Sequence, residues 1–357
     1  MRQPVILFFS CEPGGAEVLI PVIELMKAET QSKVIVLGYG LGAERFARKK
    51  IAYIETDRVV KNDFAIVNTY RPSLIITSAT SLPERDMSEK YLWHNARLAG
   101  VPTIAFLDQW QNYAIRFSGQ ETSERLAYLP DHINCINDIG EADMIGEGFD
   151  PRILLKFGQP YLSSLINDAK LINADEIKNR LGISPEQRVV LFVSEAISEH
   201  YGRSRGYDQY DAFRLFLKLT SNDAQNTVHV IKIHPKDAPE QYEQILSNSP
   251  GLQARIVKNE LTAIESIHIA ADVYGMTSIM LIEAYILGKK TISLQPGLVG
   301  EDPCLLSRNR IIPLIKSNNI SDLMALAPSK EQDFRLDFEF KKNKFLEFIQ
   351  GLSQEIK

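Results

Sequence analysis

The chain has 357 residues, 45% hydrophobic and 24% charged, with a net charge of −5 from 40 Lys and Arg against 45 Asp and Glu. That length suits two domains of about 150–180 residues each, and the lack of a broad basic stripe argues against a nucleic-acid backbone as main partner. The three cysteines, Cys11, Cys135 and Cys304, are far apart and have no CxxC spacing; they suit buried thiols in a reducing cytosol better than a disulfide framework or a structural zinc site.

The opening MRQPVILFFSCEPGG carries a short apolar run that stops at Glu-Pro-Gly-Gly, so it is expected to be a first strand rather than a secretion signal. No apolar stretch reaches the ~18 residues of a membrane span. A cytoplasmic location follows as the expectation, and a peripheral membrane contact stays compatible with it.

Short β-branched or aromatic runs then alternate with amphipathic stretches. Strands are predicted over 4–10, 33–38, 52–55, 73–77, 102–107 and 132–136. Between and after them helices are predicted over 16–29, 43–49, 59–70, within 84–100 and over 141–147. Residues 161–174 read as polar and irregular. The alternation restarts with a helix at 175–181 and strands at 188–193, 227–233, 253–257, 273–274, 290–294 and 311–314. Helices at 210–220, 238–247, 262–270 and 278–287 intervene. Continuous apolar strands separated by helices mark parallel sheets covered on both faces. The predicted fold is therefore α/β, with two doubly wound Rossmann-like domains at 1–158 and 175–330 facing across a cleft. The amphipathic segment 333–350, within a final piece 331–357, is expected to pack back on the first domain. Ligands of such sheets bind at the carboxyl ends of the strands, so the loops after strands are the places to look.

After the first strand comes SCEPGGAEVLIPVIELMK. Gly14 and Gly15 allow a tight turn into a helix whose leading N–H groups favour an anionic or hydroxyl-rich ligand; Glu12 and Glu17 flank it. The stretch is not GxGxxG, so no dinucleotide fingerprint is present. After the fifth strand, IAFLDQWQNYAIRF places Asp108 where a general base would face the cleft, with Trp110 and Tyr113 able to stack on a sugar and Arg116 able to hold an anion. In the second half, VVLFVSEAISEHYG puts Ser194, Glu195 and Ser198 at a strand end. VIKIHPKD ends a strand with His234 before Pro235, flanked by Lys232 and Lys236, a setting for a phosphate-binding imidazole. In YGMTSIMLIEAYILGKKTISL, the small turn Gly275–Ser278 opens a helix. Thr277 and Ser278 add hydroxyls to a positive helix end, and Glu283 lies within reach of ribose hydroxyls.

At these residues the chain resembles the GT-B glycosyltransferase superfamily. The glycine turn and first helix resemble those of lipid A disaccharide synthases. Lys-Ile-His-Pro at 232–235 resembles the His-Pro motif of bacterial sialyltransferases and CDP-glycerol glycerophosphotransferases. The segment from Tyr274 to Leu294 resembles the nucleotide helix of the superfamily. The resemblance implies a metal-independent glycosyltransferase that moves a sugar from a nucleotide-activated donor to a glycan, lipid-linked or protein acceptor in bacterial surface glycan assembly. The donor is then a substrate and no cofactor is expected. Thr277 and Ser278 would meet the donor phosphate, Glu283 the ribose, and His234 the phosphate or nucleotide. Asp108 or Glu17 would be the base, with inversion at the anomeric carbon expected from Asp108. Non-hydrolysing UDP-N-acetylglucosamine 2-epimerases share the fold. They carry Ser-Gly-Gly where this chain has Thr277-Ser278-Ile279, and Gly-Asp where it has Thr77-Ser78-Ala79-Thr80. A CDP-activated glycerophosphate-type transferase and a non-catalytic nucleotide or glycan binder are the further alternatives.

Overall fold

The computed structural model describes residues 3–221, 226–249, 251–316 and 337–355. The predicted domain end at 330 and the start of the predicted 333–350 segment lie outside the described residues. The chain divides into two compact units: one runs to Ser164 and takes in the C-terminal helix, and the other begins at Leu165.

The first unit contains β1 (Val5–Ser10), α1 (Pro13–Glu29), β2 (Lys33–Gly38), α2 (Gly40–Arg48), β3 (Ile54–Glu55), α3 (Ala65–Tyr70), β4 (Leu74–Thr77), α4 (Ser88–Leu98), β5 (Thr103–Phe106), α5 (Tyr113–Arg116), β6 (His132–Asn134), α6 (Asp138–Gly146) and β7 (Leu154–Leu155). Helix α7 (Pro160–Ala169) follows. The second unit continues with α8 (Ala174–Arg180), β8 (Arg188–Val193), α9 (Ile197–Tyr201), α10 (Gln209–Thr220), β9 (Thr227–Lys232), α11 (Pro239–Ser247), β10 (Gln253–Val257), α12 (Ala263–Ile269), β11 (Asp272–Gly275), α13 (Ile279–Ile286), β12 (Lys290–Leu294), α14 (Leu305–Arg308) and β13 (Leu314–Ile315). Helix α15 (Lys342–Glu355) closes the described chain.

Each unit is built on one parallel sheet, ordered β3-β2-β1-β4-β5-β6-β7 in the first and β10-β9-β8-β11-β12-β13 in the second. Every residue of β1, and all of β8 except Arg188, is buried, as expected of strands covered on both faces. The winding direction reverses between β1 and β4, and again between β8 and β11. Ligands of doubly wound sheets bind at such switch points. The loops that matter are therefore 11–15 and 78–82 in the first unit, and 194–196 and 276–278 in the second.

The first core joins Phe8, Leu19, Ile23, Val36 and Phe106 to Phe340, Phe345 and Ile349 of the C-terminal segment. The Phe345 ring centroid lies 5.6 Å from that of Phe106 and 5.4 Å from that of Phe157. Gly158 makes the crossing with this segment possible. Its φ is +90°, and a Cβ there would lie 2.0 Å from the Glu339 carbonyl oxygen.

Three elements differ from expectation for identifiable reasons. Only 65–70 of the predicted helix 59–70 is helical. The Asn95 side chain accepts from the Asn62 N–H and donates to the carbonyls of Val60 and Asp63, which holds that stretch as a loop. Within 161–174, expected to be irregular, the residues up to 169 belong to α7. Gln159 Oε1 accepts from the Leu162 N–H, and Leu162, Leu165 and Ala169 are buried on one side. Helix α1 starts three residues early, because Pro13 suits a first helical turn.

Candidate functional site

In the first unit, the glycine turn and Asp108 come together. A Cβ on Gly14 would lie 2.6 Å from Asp108 Oδ2. One on Gly15 would lie 2.1 Å from Ser78 Oγ and 2.9 Å from Ser10 Oγ. The loops after β1, β4 and β5 thus converge on a turn that tolerates no side chain at Gly15. Asp108 is partly exposed. Its Oδ1 lies 2.8 Å from Arg116 Nη1, and the guanidinium also donates to the carbonyls of Ala79 and Gln111. Arg116 is 4% exposed, so it serves as a buried clamp on Asp108 and its loop rather than as an open anion-binding cation. Trp110 and Tyr113 are also buried, and Trp110 Nε1 donates to Asn137 Oδ1. They pack, rather than offering a stacking face.

Glu17 is not drawn to that turn. It is engaged by Arg45 and approached by Lys49, both from the α2 region, an ion pair between neighbouring helices.

A buried polar centre beneath the turn was not anticipated. Ser10 Oγ and Ser78 Oγ lie 2.8 Å apart. Ser78 donates to Glu89, whose other carboxylate oxygen accepts from the Thr80 N–H. Lys90 Nζ donates to the Thr80 carbonyl at 3.1 Å. Glu89 and Lys90 have no exposed surface. Burial pushes the Glu89 carboxyl up to about 7 and the Lys90 ammonium down to about 8. Adjacent Glu and Lys at a helix start look like solvated charges in sequence, and only the contacts of Ser78 and Thr80 distinguish them.

In the second unit, Glu195 lies at the start of α13. Thr277 donates to it twice, from its N–H and its Oγ1, each at 2.6 Å. Burial pushes the Glu195 carboxyl up, while the bonds from Thr277 and the charge of Arg205 pull it down. Ser278 caps its own helix, its Oγ accepting from the Met280 N–H at 3.2 Å. The donors expected to meet a phosphate at Thr277 therefore hold this chain's own carboxylate. Glu283 is buried on α13.

Arg205, unforeseen in the sequence, lies beside this group. Its Nη1 is 3.5 Å from Thr277 Oγ1, and its guanidinium sits 3.6 Å from the centre of the Tyr201 ring. A second arginine nearby, Arg203, is spent on Asp208 and Asp211. The only sequence signal for Arg205 was the basic pattern Arg-Ser-Arg.

Ser194 and Lys232 are committed internally. Ser194 Oγ donates to Asp237 at 2.6 Å and meets Tyr242. Lys232 Nζ donates to the carbonyls of Lys258 and Leu261. His234 sits half-buried just past β9, its Nδ1 accepting from the Lys236 N–H at 3.1 Å. Among the described residues, no three His, Cys, Asp or Glu side chains are grouped to hold a metal ion. No described helix is long and apolar enough to cross a membrane.

No family model matches the chain, and no curated protein matches it in sequence. Solved structures do match in fold. A UDP-GlcNAc 2-epimerase from Neisseria meningitidis, bound to UDP-GlcNAc, aligns with a TM-score of 0.70 at 12% identity over 97% of this chain and 100% of its own. The UDP-GlcNAc 2-epimerase of Methanocaldococcus jannaschii, in complex with UDP-GlcNAc and UDP, gives 0.64 at 9% identity, covering 97% and 99%. S. aureus MnaA with UDP gives 0.66 at 11% identity, covering 99% and 97%. The chain has two parallel-sheet Rossmann-like domains of GT-B-like fold. Glycosyl transfer, the expected activity, is corrected by these matches, because structures of UDP-GlcNAc 2-epimerases correspond to nearly the whole chain. The finer resemblances to lipid A disaccharide synthases, sialyltransferases and glycerophosphotransferases find no support in them.

Proposed function

We propose that the chain is a nucleotide-sugar 2-epimerase acting on a UDP-activated sugar. The observation that carries this reading is the fold correspondence, over 97% of the chain, with 2-epimerases solved with UDP-GlcNAc or with UDP-GlcNAc and UDP.

The residues suit the chemistry. A hydrogen on C2 of a pyranose is not acidic, but its removal becomes feasible when the nucleotide diphosphate leaves C1 in the same process. The C2–H and C1–O bonds break, a C1=C2 double bond forms, and addition of a solvent-derived proton to the opposite face of C2, with the diphosphate returning to C1 and the abstracted proton passing to solvent, gives the epimer. This requires a carboxylate to take the proton and fixed donors to hold the departing charge. Asp108, partly exposed and steadied by Arg116, fits the first requirement. In the second unit, Arg205 and His234 are the candidates for the second, and Glu283 is assigned to the ribose; the Thr277 hydroxyl already donates to Glu195. Glu17, Ser194 and Lys232 receive no role here, since their polar atoms are engaged by Arg45, Asp237 and backbone carbonyls.

Incubation with UDP-GlcNAc, followed by separation of the 2-epimers, tests the reading. Conversion of the substrate, lost by about 100-fold or more in Asp108→Asn, is expected. Unchanged substrate in the presence of measurable UDP binding would leave a nucleotide-binding protein without turnover.

A further inference from the structure

Asp237 lies in the loop after β9 and is 2% exposed. Four donors converge on its carboxylate. Oδ2 accepts from Ser194 Oγ at 2.6 Å, from the Tyr242 hydroxyl at 2.7 Å and from the His234 N–H at 3.1 Å, and Oδ1 accepts from Gln209 Nε2 at 3.4 Å. Gln209 in turn holds Ser198, its Oε1 accepting from the Ser198 N–H and its Nε2 donating to Ser198 Oγ. The carboxylate therefore ties together the loops after β8 and β9 and the starts of α10 and α11. So many satisfied bonds to one buried carboxylate make a rigid centre.

The nearest functional side chain is His234, which begins the four-residue turn His234-Pro235-Lys236-Asp237. The turn is closed from both ends. The Asp237 N–H donates to the His234 carbonyl at 2.9 Å, and the Asp237 side chain reaches back to the His234 N–H. Proline at the second position fits such a turn. Within it the Lys236 N–H donates to His234 Nδ1 at 3.1 Å. A ring nitrogen that accepts a hydrogen bond carries no proton, so the neutral imidazole bears its proton on Nε2.

We infer that Asp237 is a positioning residue for His234: by closing the turn it holds Nδ1 against the Lys236 amide and makes Nε2 a fixed hydrogen-bond donor for a phosphate oxygen. The choice of phosphate as acceptor rests on the nucleotide reading above; the control of the ring does not. A base would need an unprotonated Nε2, so this device assigns His234 to binding charge, not to removing a proton.

The test is ¹⁵N NMR of the imidazole rings of the full chain at pH 8, with His234 assigned from His234→Ala. The expected wild-type signal is that of a single Nε2–H tautomer. Asp237→Ala should give a mixture of tautomers. Tyr242→Phe, which leaves the Asp237–His234 bond in place, should keep the wild-type ring. An Nδ1–H ring in the wild type overturns the inference whether or not Asp237→Ala folds. So does an unaltered ring in folded Asp237→Ala, or a ring disturbed equally by Tyr242→Phe. UDP affinity, by calorimetry, should fall about tenfold in Asp237→Ala, as for one oriented bond to a charged group. It should fall no further when His234→Ala is added. A further fall in that double variant overturns the coupling. If UDP binds none of the proteins but the ring results hold, the positioning stands and the nucleotide reading fails.

Discussion

Glu89→Gln should flatten one part of the dependence of stability on pH. The carboxyl is fully buried and rises from 4.5 to about 7 on folding. The protonated form is thus favoured in the native state. The native chain then holds a proton that the unfolded chain has lost between these two values, so the stabilisation is complete below pH 4.5 and fades as pH climbs through 7. A rise of that size corresponds to roughly 3 kcal/mol at most. Lys90, lowered to about 8, keeps its charge in both states through pH 6.5 and begins to lose it in the native state only at the top of the range, so the points from pH 4.5 to 6.5 report Glu89 most directly. Burial lowers His94, His229 and His268, and their contribution runs the other way, with stability lost as pH falls. The wild-type value alone would mix these effects. The difference between wild type and Glu89→Gln removes the histidines, because they are common to both. Glutamine can still accept from the Thr80 N–H through Oε1 and donate to Ser78 Oγ. Urea unfolding at pH 4.5, 5.5, 6.5 and 7.5 gives the difference directly. It should move in favour of the variant by about 2–3 kcal/mol from the lowest pH to the highest. A difference independent of pH would refute the account of a carboxyl forced toward neutrality under the glycine turn.

Two substitutions test the packing that positions the site. Gly15→Ala places a methyl group against Ser78, which is itself held by Glu89, and should cost about 1–3 kcal/mol by overpacking; an unchanged urea midpoint would mean that the loop after β4 yields freely. Phe345→Ala removes a fully buried ring from the core shared with Phe106 and Phe157 and should cost about 3–5 kcal/mol, seen as a lower urea midpoint with the far-UV signal intact.

The strands were legible because a parallel strand buried on both faces is a continuous run, as in VILFFS and RVVLFV. The two-residue strands β3, β7 and β13 carry little such signal, and β7 escaped notice. The short helices α5, α9 and α14, with four or five residues each, cannot show a helical period. Gly14, Gly15 and Asp108 were visible by the logic of strand ends, and they do meet. What the residues around them do was not visible, because it depends on partners distant in sequence. Glu17 is claimed by Arg45 from the next helix, and Glu195 by Thr277, 82 residues on. Glu89 is drawn in by Ser78 and Thr80 across a strand-end loop. A charged side chain discloses its use only through the donors around it, and those are set by the fold.

The most direct test of the proposed activity is proton NMR of UDP-GlcNAc incubated with the protein in D₂O. Abstraction and return of the C2 hydrogen would replace it with deuterium in both the starting sugar and its 2-epimer, with the H1 coupling to H2 lost as exchange proceeds. A nucleotide sugar that binds yet keeps its C2 hydrogen, with no epimer formed, would contradict 2-epimerisation of this substrate by this chain.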